Sequence, residues 1–261
     1  MRGVVGWRWL GSALAVRALV VRALAALLSL SGCASIEGAS RLEGIKTIGI
    51  ISAIGDKFTF TPSGLTSFDN AQRSVSIDAW GIDELVVARA APILGQHFQV
   101  QLATFQRDLF FAPERTSSIP GVDLVREDPF KDLIRSHVSP QGLDAYVVIT
   151  KATLKYGTRG VPVSGIGLIK HSTLFDSSAI VHALYAVRVI DGHTFRTIDK
   201  KSAGPVDNSI VRLAGPSRVF DAAGLPPISD PLQNESLKAT VTDLINRSLE
   251  PTLKDLRLTA P

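Results

Sequence analysis

Alternating apolar and polar positions predict several β-strands in the first half of the chain after residue 44. In Ile45–Ile54 both alternating sets are apolar or small, which is typical of a strand covered on both faces. Short alternating pieces within Lys57–Ile77 are separated by Pro-Ser-Gly and Asp-Asn, which are turn residues, and predict a small β-meander. Phe98–Ala103 alternates again and predicts a further strand.

The second half of the chain predicts an antiparallel meander. Its strands are Ala145–Tyr156, Ala179–Ile190 and Thr194–Lys201, and Asp-Gly forms the turn between the last two. Between the first two lies Gly157–Ser178, which has four glycines among apolar residues. We interpret this segment as a mobile loop that folds over the sheet or docks on a partner subunit or lipid. Its glycine spacing matches no phosphate-binding motif.

Helical periodicity appears in three places. The first helix follows Asp78 and contains Pro92, which we expect to kink or split it. A short helix begins at Asp128-Pro129, where the carboxylate caps and proline suits the first position. The closing helix begins at the capping sequence Asp230–Gln233, and Pro251 should break or bend it.

Two long segments are rich in turn residues. Residues 106–126 are irregular, and 203–229 is rich in Gly and Pro, which predicts a mobile loop with one helical turn near Ser217–Ala223.

The order of the predicted strands and helices along the chain indicates an α+β fold. We expect one domain over residues 45–261, with a mixed, mainly antiparallel sheet and helices packed against it.

The first 32 residues have a different pattern from the rest. They contain four arginines and no acidic residue, and they end in the apolar block Ala23–Leu30, which is the form of a secretory signal. Leu-Ser-Gly-Cys follows at Leu30–Cys33, and residues 33–44 form a short polar connector that should be flexible. A buried thiol and a transmembrane helix are the alternatives; no stretch reaches the roughly 18 uninterrupted apolar residues of a span.

The Leu30–Cys33 sequence resembles the lipobox of bacterial lipoproteins. The resemblance implies that residues 1–32 are a signal peptide, that the thiol of Cys33 is acylated, and that Cys33 becomes the first mature residue. Because Ala34 rather than Asp follows the cysteine, the family's sorting rule implies delivery to the outer membrane, facing the periplasm.

Removal of the signal changes the charge. The chain has 28 Lys and Arg against 24 Asp and Glu, and the four arginines before Cys33 leave 28 − 4 = 24 against 24, or zero net charge. This balance gives no support to a nucleic-acid partner. Cys33 is the sole cysteine, so disulfides are not expected.

Candidate catalytic and metal-binding residues are sparse. The five histidines show no metal-ligand spacing and no serine lies in a nucleophile elbow, since Pro162 stands two residues before Ser164. Acidic residues near Asp83 begin a helix, where capping and dipole interactions account for them. We therefore predict no catalytic, cofactor-binding or metal site, and no cofactor. The histidines are His97, His137, His171, His182, which falls on the more polar face of its predicted strand, and His193.

The order of elements after the connector resembles the αβ domain of envelope lipoproteins. That group includes the curli-secretion lipoprotein, activators of penicillin-binding proteins and the N-terminal domain of the Tol propeller protein; the similar stretches are IKTIGIISAI, FQVQLA and GLDAYVVIT. The resemblance implies a non-enzymatic scaffold or regulatory module that binds another envelope protein or itself. A secretion-pore subunit whose Gly157–Ser178 joins a membrane hairpin, and an enzyme with an unrecognised site, remain alternatives.

Overall fold

The computed structural model describes residues 42–63, 72–111, 130–157, 160–172, 177–206, 213–221 and 234–259. From Ile45 onward the chain forms one compact unit. Cys33 and the predicted signal peptide lie outside the described residues, as do the predicted helix starts at Asp128-Pro129 and Asp230–Gln233.

Twelve strands and three α-helices make up the described part. The helices are α1 (Ile82–Leu94), α2 (Phe130–His137) and α3 (Glu235–Asp255). The strands are β1 (Thr47–Ala53), β2 (Lys57–Ser63), β3 (Arg73–Ser76), β4 (Gln99–Leu102), β5 (Thr104–Phe105), β6 (Val138–Ser139), β7 (Ala145–Lys151), β8 (Thr153–Tyr156), β9 (Val161–Ser172), β10 (Ser177–Asp191), β11 (Thr197–Ser202) and β12 (Ser217–Asp221).

Ten strands form one sheet with two arms that share the long strand β10. In the first arm, β4, β1 and β7 run parallel, and β7 and β11 pair antiparallel with the second half of β10. In the second arm, β9 and β12 pair antiparallel with the first half of β10, and β2 lies parallel to β9 and antiparallel to β3. The predicted α+β class with a mixed, mainly antiparallel sheet is confirmed.

The helices lie on both faces of the first arm. On one face α1 packs against β1 and α3, and α3 packs against β10. On the other face α2 and a 3-10 turn at Arg107–Phe110 cover a cluster that includes Ile51, Tyr146 and Val148. Because both faces are covered, β1 and β7 are buried at nearly every position, as the sequence of Ile45–Ile54 predicted for the first of them.

The segment Gly157–Ser178 is not a loop, and that prediction was wrong. Most of it forms β9, which pairs with β10 on one side and with β2 on the other. Glycine is required here by close packing: a Cβ on Gly167 would lie 2.2 Å from the carbonyl oxygen of Thr59 on β2. The glycines that suggested a loop therefore allow two neighbouring strands to approach each other closely.

Some predicted strand and helix boundaries also differ from the structure. The predicted helical turn near Ser217 is β12, and the predicted Ala145–Tyr156 strand divides into β7 and β8 at Ala152. Pro92 and Pro251 do not break their helices, which are assigned as continuous through both residues. Both prolines are exposed, so water can satisfy the carbonyl group that each leaves without a donor.

Candidate functional site

An open cleft of about 450 Å³ lies between the two arms of the sheet. The first arm contributes Lys151 at the end of β7, and the second contributes Thr59 on β2 and Ser164 on β9. The β1–β2 connection, the first residue of β2, the 3-10 turn and the residue after that turn complete the lining. Its remaining residues are Asp56, Lys57, Asp108 and Phe111.

Two of the residues that line this cleft form an ion pair. Lys151 Nζ donates to both carboxylate oxygens of Asp56, at 2.8 Å and 2.7 Å, and the two side chains are only 14% and 11% exposed. The ammonium also lies 5.3 Å from the centre of the Phe111 ring, which favours the cation. The pair joins the end of β7 to the turn before β2, and thus links the two arms.

Gly165 gives the Lys151 side chain its space. This glycine has a φ of +62°, and a Cβ there would come within 2.8 Å of Lys151 Cδ. A larger residue would be strained at this φ and would have to displace the lysine side chain. The lysine is held between β9 and the Asp56 carboxylate, and chemically it acts as a fixed cation rather than as a free nucleophile.

Asp83, the acid singled out in the sequence, is buried and fully engaged in structure. It accepts hydrogen bonds from Ser52 Oγ at 2.7 Å, Ile54 N at 2.8 Å and Gly55 N at 3.2 Å. These three donors lie at the end of β1 and just beyond it. The carboxylate therefore joins the first turn of α1 to the sheet, in place of the helix-capping role that the sequence indicated.

Glu84, beside it, faces solvent and binds Arg107. Arg107 Nη2 donates to Glu84 Oε1 at 2.7 Å, and this hydrogen bond lowers the pKa of Glu84. The guanidinium also comes within 3.9 Å of Asp83. The two acids of the predicted helix start thus share Arg107, and Asp83 alone is also bound to the end of β1.

Two further buried polar groups join the sheet to its helices. Arg188 on β10 donates to Thr150 Oγ1 at 2.8 Å and stacks 4.8 Å from the centre of the Phe130 ring of α2. Burial lowers the pKa of Arg188 to about 10, so the side chain remains charged at neutral pH. On the other face, Tyr185 and Ser248 of α3 are hydrogen bonded at 2.6 Å, and burial raises the pKa of the tyrosine to about 12.

The histidines do not come together. His97, His137 and His193 are exposed, in the turn after α1, at the end of α2 and in the turn after β10 respectively. His171 lies on β9. Over the residues that the structure describes, no group of three or more His, Cys, Asp or Glu side chains could hold a metal ion.

His182, which the sequence placed on the more polar face of its strand, is buried. It is 1% exposed on β10, opposite Gly167, and its Nδ1 lies 2.9 Å from the carbonyl oxygen of Gly165. Nε2 is buried without a hydrogen-bond partner in the described part of the chain. Burial lowers the pKa of His182 to about 4, so the ring is neutral at pH 7.

Sequence reasoning missed Asp56 and Lys151. Lys151 ends an apolar strand and Asp56 follows a glycine, and each position is ordinary in isolation. Only the pairing of β7 with β1 brings the two together across 95 residues.

No family model matches the chain, and no curated protein matches it. Solved structures similar to it include the lipoprotein GNA1162 from Neisseria meningitidis, at 14% identity and a TM-score of 0.27, over 77% of this chain and 96% of that one. A PelC dodecamer from Paraburkholderia phytofirmans is similar at 12% identity and a TM-score of 0.26, over 84% of this chain and 89% of that one. TM-scores this low do not establish a common fold.

Proposed function

We propose that this protein is a lipid-anchored component of the bacterial cell envelope whose folded domain binds other protein surfaces and performs no catalysis. The observation that carries the proposal is Cys33, which follows a basic and then apolar segment and precedes a short polar connector. Acylation of this thiol would hold the domain at a membrane surface. The outer membrane, facing the periplasm, is the proposed location.

The buried polar groups of the domain support a structural role for its ionisable residues. Asp83 binds three donors at the end of β1, and Lys151 binds both oxygens of Asp56. Each group is occupied by a partner that joins two elements. A rigid body held in this way suits a scaffold or a regulatory module, because its binding surfaces keep a fixed geometry.

The pore-subunit alternative is less well supported, because the segment that it requires as a membrane hairpin is part of the sheet. Gly157–Ser178 was the candidate membrane hairpin, but β9 within it is paired along both edges with β10 and β2. Withdrawing β9 would remove the central strand of the second arm. None of the helices in the described residues has the length and hydropathy needed to cross a membrane.

Substitution of Cys33 tests the anchor. We expect the wild-type protein to sediment with membranes and Cys33→Ser to appear in the soluble fraction. Ser35→Ala, two residues away, is the matched control and should remain with membranes. Equal membrane retention of the Cys33→Ser variant would refute the lipid anchor.

The binding role has a separate test. Chemical cross-linking in intact cells, followed by purification of the wild-type protein and mass spectrometry, should recover adducts with an envelope protein or with a second copy. A chain that forms no adduct at all would contradict the proposed binding module, whatever its location.

A further inference from the structure

Five strands of the large sheet have only one partner within the described residues, and four of them contain a charged side chain. Arg73 on β3, Lys155 on β8, Lys200 on β11 and Arg218 on β12 are such residues. Charges on an edge strand discourage pairing with another chain. The fifth strand, β4, has the sequence Gln-Val-Gln-Leu, with neither a charge nor a proline.

The same strand carries an exposed apolar side chain. Leu102 is 71% exposed, against 44% for Val219, the other large apolar residue that is exposed in the described part of the chain. Val100 lies two positions earlier and therefore on the same face of the strand as Leu102. Together they give the margin of the sheet an apolar strip.

One hydrogen bond shows in which direction the backbone N–H and C=O groups of β4 point. Gln99 N donates to the carbonyl of Lys46 at 2.7 Å, so Gln99 faces β1, and by alternation Gln101 does too. The N–H and C=O groups of Val100 and Leu102 then point away from β1. These are the groups that a further strand would bind.

We propose that a second copy of this chain binds here, with two β4 strands paired antiparallel about a twofold axis at Gln101. In this register Val100 of each copy lies opposite Leu102 of the other, and the outward-facing groups form four backbone hydrogen bonds. Gln101 lies opposite its own equivalent as a non-hydrogen-bonded pair. The interface is isologous, because each copy presents the same strand.

Two observations favour a second copy as the occupant. The apolar residues of β4 are complementary to themselves, since the twofold register places Val100 against Leu102 on one face. Residues 33–261 carry 24 Lys and Arg against 24 Asp and Glu, so two copies approach without net repulsion. The inference rests on the proposed function in one respect: anchoring through Cys33 would concentrate the copies at one surface.

Cysteine cross-linking tests the register directly. Residues opposite one another in a non-hydrogen-bonded pair lie about 4.5 Å apart between Cα atoms, within disulfide range. We expect full-length Gln101→Cys in membranes to form disulfide-linked dimers on mild oxidation. Asp199→Cys, on the exposed edge strand β11, is the matched control and should form at least tenfold less. Equal dimer yields from the two variants would overturn the pairing, and so would a Gln101→Cys adduct with a different protein.

A second pair of variants measures association without a new thiol. Leu102→Glu should raise the dimer dissociation constant at least tenfold in light scattering or sedimentation of the detergent-solubilised protein, whereas Val219→Glu should not. A wild-type protein that is monomeric at all concentrations would refute the dimer. Both sets of variants are repeated in the Cys33→Ser background, where loss of anchoring with retained dimers would separate the two proposals.

Discussion

His182 should make the protein sensitive to mild acid. Its ring is 1% exposed, and burial lowers its pKa from the ordinary value of 6.5 to about 4. Between these two values the unfolded chain binds a proton that the folded chain does not. Stability is therefore lost as the pH falls from about 6.5 towards 4, and above this range His182 contributes no pH dependence.

The size of the effect follows from the two pKa values. At about 1.36 kcal/mol per pKa unit, the shift from 6.5 to about 4 corresponds to roughly 3 kcal/mol when the titration is complete. Most of it, about 2.5 kcal/mol, should appear between pH 7.5 and pH 4.5. This is a large fraction of the stability of a typical domain.

Urea unfolding at several pH values measures the effect. His182→Gln is similar in size and polarity to neutral histidine but cannot be protonated in this range. The variant should lose about 2.5 kcal/mol less stability than the wild type between pH 7.5 and pH 4.5. Other groups titrate equally in both proteins, so the difference isolates His182.

The matched control is His97→Gln, at an exposed histidine, which should follow the wild-type pH dependence. If the free energies of unfolding of the wild type and His182→Gln change equally with pH, the lowered pKa of His182 is refuted. That result would mean that the imidazole is hydrated or paired in solution.

Three other substitutions test the packing and the ion pairs. Asp83→Ala leaves Ser52 Oγ and two backbone N–H groups without their acceptor, so the free energy of unfolding should fall by about 3 kcal/mol in urea titration; a loss below about 1 kcal/mol would contradict the assignment. Lys151→Ala leaves the Asp56 carboxylate buried and unpaired and should lower the free energy of unfolding by about 2 kcal/mol at pH 7, whereas an unchanged value would contradict the ion pair. Gly167→Ala should lower thermal stability by about 1–3 kcal/mol through its clash with Thr59, and equal melting temperatures for this variant and the wild type would count against the close approach of β2 and β9.

Local patterning was sufficient for the first arm of the sheet. Ile45–Ile54 was identified as a strand covered on both faces because helices do cover both faces of β1, and apolar or small residues therefore occupy both of its alternating sets. The apolar start of β7 follows from the same cause. The α+β class could therefore be predicted from the order of elements.

Strand β9 of the second arm could not be predicted because its sequence reflects contacts between strands that are distant in the chain. Gly167 is required by the carbonyl of Thr59, and Gly165 by the side chain of Lys151. Neither requirement is visible in the β9 segment itself, whose glycines interrupt the alternation of a strand. The parallel pairing of β2 with β9 likewise joins residues about 108 positions apart, such as Phe58 and Ile166.

The contacts of the candidate site residues could not be predicted for the same reason. Asp83 was visible as an acid near a helix start, but its three partners on and after β1 depend on how α1 packs against the sheet. The buried state of His182 depends on the neighbouring strand β9, where Gly167 leaves space for the ring and the Gly165 carbonyl pairs with Nδ1. Cys33, in contrast, was identified from local sequence alone, because export signals are recognised as linear segments.

Mass spectrometry of the intact protein purified from membranes tests the anchor most directly. We expect a chain that begins at Cys33 and carries added acyl mass on that residue. A chain that retains residues 1–32 and has an unmodified Cys33 thiol would contradict the lipid anchor.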